Sequence, residues 1–138
     1  MPRFTSTIHI TEIEARQSMS TLHPSPRVTA YDASVAQALD RLLSNDPSGA
    51  LRALERAHVL GQRDFRRHLH VHWLMLRAAW RMLDRQEVAG QVLRLLLVPL
   101  GHLTRRLPRG NPGTTVVSAF VTCEVPVELA RLLDIDRP

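Results

Sequence analysis

Asp46-Pro47-Ser48-Gly49-Ala50-Leu51-Arg52-Ala53-Leu54-Glu55-Arg56-Ala57-His58-Val59-Leu60-Gly61-Gln62-Arg63-Asp64-Phe65-Arg66-Arg67-His68-Leu69-His70-Val71-His72-Trp73 is the stretch that decides the fold. Asp46 suits the N-cap of a helix, and Pro47 its first position, where the missing N–H costs nothing. Ala50, Leu51, Leu54, Ala57, His58 and Leu60 recur at helical spacing. Gly61 stands where a glycine cap ends a helix. Asp64 then suits the N-cap of a longer helix running to about Leu83. So short a connection predicts two antiparallel helices packed as a hairpin.

Working outward, Val35, Leu39, Leu42 and Leu43 predict a helix from Tyr31 up to Asn45. After Asp84 a fourth helix is expected from Glu87 to about Val98, stopped or kinked by Pro99 and Gly101. On the third helix, Leu69, Trp73, Leu76 and Trp80 mark one apolar side. Leu74, Ala78 and Met82 lie partly round from them, so packing on two sides is expected. The fold class is therefore all-α: two consecutive antiparallel helical hairpins, loosely tetratricopeptide-like, with an extended C-terminal tail. Ala50-Leu51-Arg52-Ala53-Leu54 and Ala89-Gly90-Gln91-Val92-Leu93 take similar places in the two hairpins, although their separation exceeds that repeat's period. In the tail, Leu107 to Gly113 is dense in turn residues and the β-branched run Thr114 to Val121 reads as extended. Pro126 opens a last helical stretch, Val127 to Leu133. Residues 1–29 read as an extension or linker, with a short strand conceivable around Phe4, Ile8 and Ile10 and a break at Pro24 and Pro26. Residues 30–138 form the single helical domain.

Composition narrows the function classes. The chain has 138 residues, a net charge of +5 and 44% apolar residues, which suits one modest globular core. No apolar run is long enough to span a bilayer, and Glu12, Glu14 and Arg16 interrupt any secretory leader, so a cytoplasmic setting is expected. The basic residues are all arginine and lie scattered, without a stripe interleaved with aromatics, which disfavours nucleic acid. A membrane surface is disfavoured too, because the apolar residues of the fourth helix surround its axis. Cys123 is the single cysteine, so neither an intrachain disulfide nor a cysteine-rich zinc motif exists.

The chemistry lies in the histidines. Four of the seven fall between His58 and His72. Glu55 and His58 share a face in the last turns of the second helix, and His68 and His72 share one in the first turns of the third. Antiparallel packing sets all four at one height. Glu55, His58, His68 and His72 are thus the candidate ligands of a transition metal ion, with Zn, Fe, Co, Ni, Mn and Cu all open. A di-iron centre needs more carboxylates than these helices supply, so a mononuclear site is expected. The alternative is a surface Glu–His pair beside histidines hydrogen-bonded within the bundle. His70 points away from His68, and His102 follows the fourth helix as a conceivable outer ligand.

Leu54 to Gln62 resembles a signature block of an uncharacterised bacterial family of small helical proteins, domain of unknown function 3703. His68-Leu69-His70-Val71-His72-Trp73-Leu74-Met75-Leu76 resembles its second block, with the first and last histidines and the tryptophan matching. Gly90-Gln91-Val92-Leu93-Arg94, and Gly110-Asn111-Pro112-Gly113 with Val117-Ser118-Ala119, resemble two more. Pro112 departs from the Thr-Gly pair usual after the family's Asn. The resemblance spans residue 31 to the C-terminus. It implies a small helical protein whose recurring positions match Glu55, His58, His68 and His72, and it supplies no activity.

Two functions follow as expectations. The first is metal binding through the Glu/His cluster, in metal handling or sensing, ahead of a mononuclear metalloenzyme; no residue names a catalytic role. The second is a metal-free helical-hairpin interaction module, in which the apolar fourth helix, Val92 to Leu100, meets a protein partner or a second copy in a homodimer.

Overall fold

The structure is a computed structural model and describes residues 24–135. Among them are five helices and no strand: α1 (Pro26–Leu43), α2 (Pro47–Gly61), α3 (Phe65–Met82), α4 (Arg85–Thr104) and α5 (Val127–Ile135). The expected strand near Phe4, Ile8 and Ile10 lies outside the described residues. Each of α2, α3 and α4 packs on the helix before it, as successive hairpins require, and α5 lies against α1 and α2.

One device punctuates the first four helices. The side chains of Ser25, Asp46, Asp64 and Asp84 accept from the amides of Val28, Gly49, Arg67 and Glu87, three residues on. Each cap satisfies a donor that the helix itself leaves unpaired, typically worth about 1 kcal/mol. At the opposite ends, the Arg27 guanidinium donates to Leu60 O at 2.8 Å and Arg81 donates to Leu42 O. Those bonds tie α1 to α2 and α3 to α1 through the carbonyls a helix leaves open.

Helix boundaries depart from expectation by two residues at the start of α4 and the end of α5, and more tellingly at three other places. α1 begins at Pro26, five residues before Tyr31, because Ser25 caps it and proline is well suited to the first turn. Gly61 is the last helical residue of α2 and not a left-handed cap; the residue after it, Gln62, is right-handed. A Cβ on Gly61 would come within 2.7 Å of the Tyr31 ring, so this glycine serves the close approach of α1 and α2. α4 runs through Pro99 to Thr104 and ends on Arg105 in the left-handed region. The bond lost at Pro99 is offset by tertiary contact of the final turn, where His102 meets His68 and Phe65.

The apolar core is built by α1, α2 and α3 around Tyr31, Leu42, Leu54, Leu60, Val71 and Met75, with Leu129 of α5 closing it. Ala38, Ala50, Ala57 and Ala78 are fully buried, and such small side chains let the helices approach closely. α3 does pack on two sides, between α2 and α4. Its buried residues, however, are His68, Val71, His72, Leu74, Met75, Ala78 and Ala79, while Trp73 and Trp80 are 54% and 69% exposed. The tryptophans take the outer face.

α4 is inverted relative to an ordinary amphipathic helix. Its buried residues are Glu87, Gln91, Arg94 and Val98, and its exposed ones include Leu93, Leu96, Leu100 and Leu103. The polar stripe is accounted for by the segment after α4. Thr114 to Val121, expected as extended chain, forms turns instead. Its backbone groups pair with side chains, not with a sheet. Arg94 donates to Thr114 O and Val117 O at 2.8 and 2.7 Å, and Asn111 donates to Ser118 O and Val121 O at 2.8 and 2.7 Å. Glu87 accepts from the Thr115 amide at 2.9 Å and from the Thr115 hydroxyl. The irregular segment is thereby held against α4, and it reaches α2 through Asn111 O at His58 and the Thr114 hydroxyl at Glu55.

Candidate metal centre

α2 brings His58 in near its C-terminal end, and α3 brings His68 and His72 in on its first two turns. The three side chains are buried, at 2–4% exposure. The Nε2 atoms of His58 and His68 are 3.0 Å apart, those of His58 and His72 3.1 Å, and those of His68 and His72 3.2 Å. Among the described residues these three histidines form the group able to hold a metal ion.

The outward nitrogens decide the tautomers. His58 Nδ1 stands 2.8 Å from Asn111 O, which only accepts, so Nδ1 carries the proton and Nε2 the lone pair. Gln91 donates through Nε2 to Glu87 Oε1 at 2.7 Å and to Gly113 O at 2.8 Å. Both partners are acceptors, which fixes the amide orientation and turns Gln91 Oε1 toward His72 Nδ1 at 2.7 Å. His72 Nδ1 therefore donates, and its Nε2 presents a second lone pair to that of His58. His68 Nδ1 lies 3.0 Å from His102 Nε2, a pairing that permits either direction of donation. The arrangement matches the way metal-binding histidines are oriented by bonds from their remote nitrogens.

A proton is poorly suited to hold these lone pairs together. Burial, with the neighbouring His72 and His68, sets His58 well below the ordinary imidazole range. Burial first, then His72 and His102, lowers His68 to about 3. Burial lowers His72 to about 4, partly opposed by its bond to Gln91. All three are neutral at pH 7, the protonation state in which imidazole ligates metal.

The triangle has the right size for an ion. The three Nε2 atoms, 3.0–3.2 Å from one another, would be the donors to a transition metal ion, and three imidazoles would supply it with neutral nitrogen ligands.

Of the four residues read from sequence, the structure brings together His58, His68 and His72 and leaves Glu55 outside. Glu55 Oε1 accepts from the Thr114 hydroxyl at 3.1 Å, and half-burial raises its pKa. His70 is exposed, with its Nδ1 3.2 Å from the Tyr31 hydroxyl. His102 lies beyond the triad and touches His68. Sequence reasoning missed Gln91, Asn111, Glu87 and Arg94. A signal existed for three of them: Glu87, Gln91 and Arg94 form one polar stripe, at spacings of four and three, along a helix whose other faces are leucine-rich.

A cavity of about 330 Å³ opens on the triad, lined also by Arg94 and by apolar side chains of α4 and the following segment. No described helix is long and apolar enough to cross a membrane. No curated protein and no solved structure matches the chain. Across residues 26–133 it matches the model of a family described as protein of unknown function, DUF3703, and the chain belongs to that family.

Proposed function

We propose that this protein binds one transition metal ion through His58, His68 and His72, and that its role is metal handling or sensing. The observation that carries the reading is the meeting of the His58 and His72 Nε2 lone pairs at 3.1 Å, with both remote nitrogens committed as donors. Two such lone pairs repel unless a cation lies between them. Burial disfavours a proton there, which leaves a metal ion as the stabilising partner. Three imidazoles suit Zn, Fe, Co, Ni, Mn and Cu, and the donor set does not choose among them. The test is elemental analysis of tag-free protein, in which near-stoichiometric metal supports the reading. Absence of metal after anaerobic reconstitution with each candidate ion rejects it.

A second reading concerns α4. Leu93, Leu96, Leu100 and Leu103 are 52%, 72%, 55% and 83% exposed at spacings of three and four. That seam suits a second copy of the chain, packed helix to helix in a homodimer. Sedimentation should then show a dimer that survives chelator and that Leu96→Asp dissociates. A monomer at micromolar concentration contradicts it.

A further inference from the structure

The cavity beside the triad is built for a particular class of molecule. His58, His68 and His72 all line it, so the triad borders open space and not packed protein alone. Arg94 lines it as well and is only 7% exposed. Its three hydrogen bonds run to the carbonyls of Gly90, Thr114 and Val117, which leaves further guanidinium donors, while the Glu87 carboxylate acts on it through space without a direct hydrogen bond. Arg106 stands among the exposed lining residues. No aspartate or glutamate is among the lining residues. The remaining wall is largely apolar, with Leu97, Val98, Leu100, Leu107, Ala119 and Phe120.

Charge and shape combine here. A divalent ion on three neutral imidazoles, beside a buried arginine, exceeds the single Glu87 countercharge and leaves a net positive cavity end that an anion compensates. The apolar wall beyond it suits a hydrocarbon or aromatic body, and the volume is that of a small-molecule site. Exposed Phe120 and Leu100 sit at its rim, giving entry from solvent.

Resting on the metal reading above, we infer that the cavity takes a small organic acid. Its carboxylate occupies the open metal position within reach of Arg94, and its apolar body lies along Leu97, Leu107 and Phe120. The metal centre is then an open one that meets a ligand, not a closed structural clamp.

The test uses the full chain loaded with Co(II), whose visible bands report a change of ligand, after elemental analysis has established the cobalt content. Acetate, hexanoate and benzoate are titrated beside hexylamine and hexanol. Hexanoate should shift the bands saturably and bind tighter than acetate, up to about fourfold per added methylene. Hexylamine and hexanol should leave the spectrum unchanged. Arg94→Gln should weaken hexanoate about tenfold or more. Because Arg94 also anchors the following segment, Phe120→Glu serves as the second variant: it places a carboxylate at the exposed cavity rim, outside the α4 seam, and should weaken hexanoate while leaving cobalt content intact. Stoichiometric cobalt with a spectrum indifferent to every carboxylate overturns this inference alone, as does equal binding of amine or alcohol. Failure to take up cobalt or any other ion overturns the metal reading and this inference together.

Discussion

His58 Nε2 and His72 Nε2 stand 3.1 Å apart, although one belongs to the end of α2 and the other to the second turn of α3. The Asp64 cap sets the start of α3, and the antiparallel hairpin then brings both rings to the same level. Their remote nitrogens are held separately, by a loop carbonyl for His58 and by a buried amide for His72. Close packing and two directed hydrogen bonds thus fix a contact that neutral imidazoles alone would avoid.

Glu55→Gln tests which of the Glu/His cluster belongs to the site. Glu55 bonds Thr114 and not the histidines. The variant should keep metal content unchanged in elemental analysis, whereas His68→Ala should lose most of it. Loss of metal from Glu55→Gln would show that Glu55 ligates.

Gln91→Leu tests the support of His72. It removes the acceptor for His72 Nδ1 and the donor to Glu87 and Gly113. Metal affinity should fall about 10–100-fold in competition with a chromophoric chelator. Leaving a buried group unpaired should also cost roughly 1–3 kcal/mol in urea unfolding of the metal-free protein. Unchanged affinity would show that Gln91 does not orient the ligand.

Gly113→Ala tests the approach of the loop. Gly113 has φ of +85°, and an added Cβ would lie 2.8 Å from the His58 ring. The backbone strain should cost about 1–3 kcal/mol, and the displaced ring should weaken metal binding in the same competition assay. A variant as stable as the parent would remove this glycine from the account.

The pH dependence has a definite sign. In the metal-free fold His68 titrates near 3 and His72 near 4, against 6.5 for an unperturbed imidazole. Between those values the unfolded chain binds more protons, so stability rises with pH. It should be complete above about pH 6.5 and decline as pH falls toward 4, read as a falling Tm of metal-free protein. The same depression should keep metal affinity nearly level from about pH 7.5 to 5, whereas an exposed histidine site weakens below its ordinary pKa. A Tm independent of pH across this window would contradict buried neutral imidazoles.

Metal loading should fix the tautomer of His68. Its Nδ1 faces His102 Nε2 at 3.0 Å, and a metal on Nε2 requires the proton on Nδ1. Nitrogen-15 shifts of the imidazoles should place His58 and His72 in the Nδ1–H form with or without metal, and His68 in that form once metal is bound. An Nε2–H signal from His58 or His72 in the loaded protein would contradict the assignment.

The helices were legible because their punctuation is local: Asp46, Asp64 and Pro47 announce starts within four residues. Helical spacing and a short connection also suffice to set His58 level with His68 and His72. What the sequence hid depends on distant partners. Pro99 reads as a stop until His102 is seen to meet His68 a turn later. Thr114 to Val121 reads as extended until Arg94, Asn111 and Glu87 are seen to satisfy its backbone. Glu55 shares a face with His58, yet it bonds Thr114, a residue whose position no helical period reveals. The buried stripe of Glu87, Gln91 and Arg94 has helical spacing, but on a leucine-rich helix such a stripe has the pattern of a solvated face until its loop partners are in place.

The most direct measurement is elemental analysis of the tag-free protein beside the His58→Ala/His72→Ala double variant, both folded by circular dichroism and both reconstituted anaerobically. The account predicts about one metal ion per wild-type chain and close to none in the variant. Equal metal in the two proteins, or none in the wild type with every candidate ion, would contradict the site.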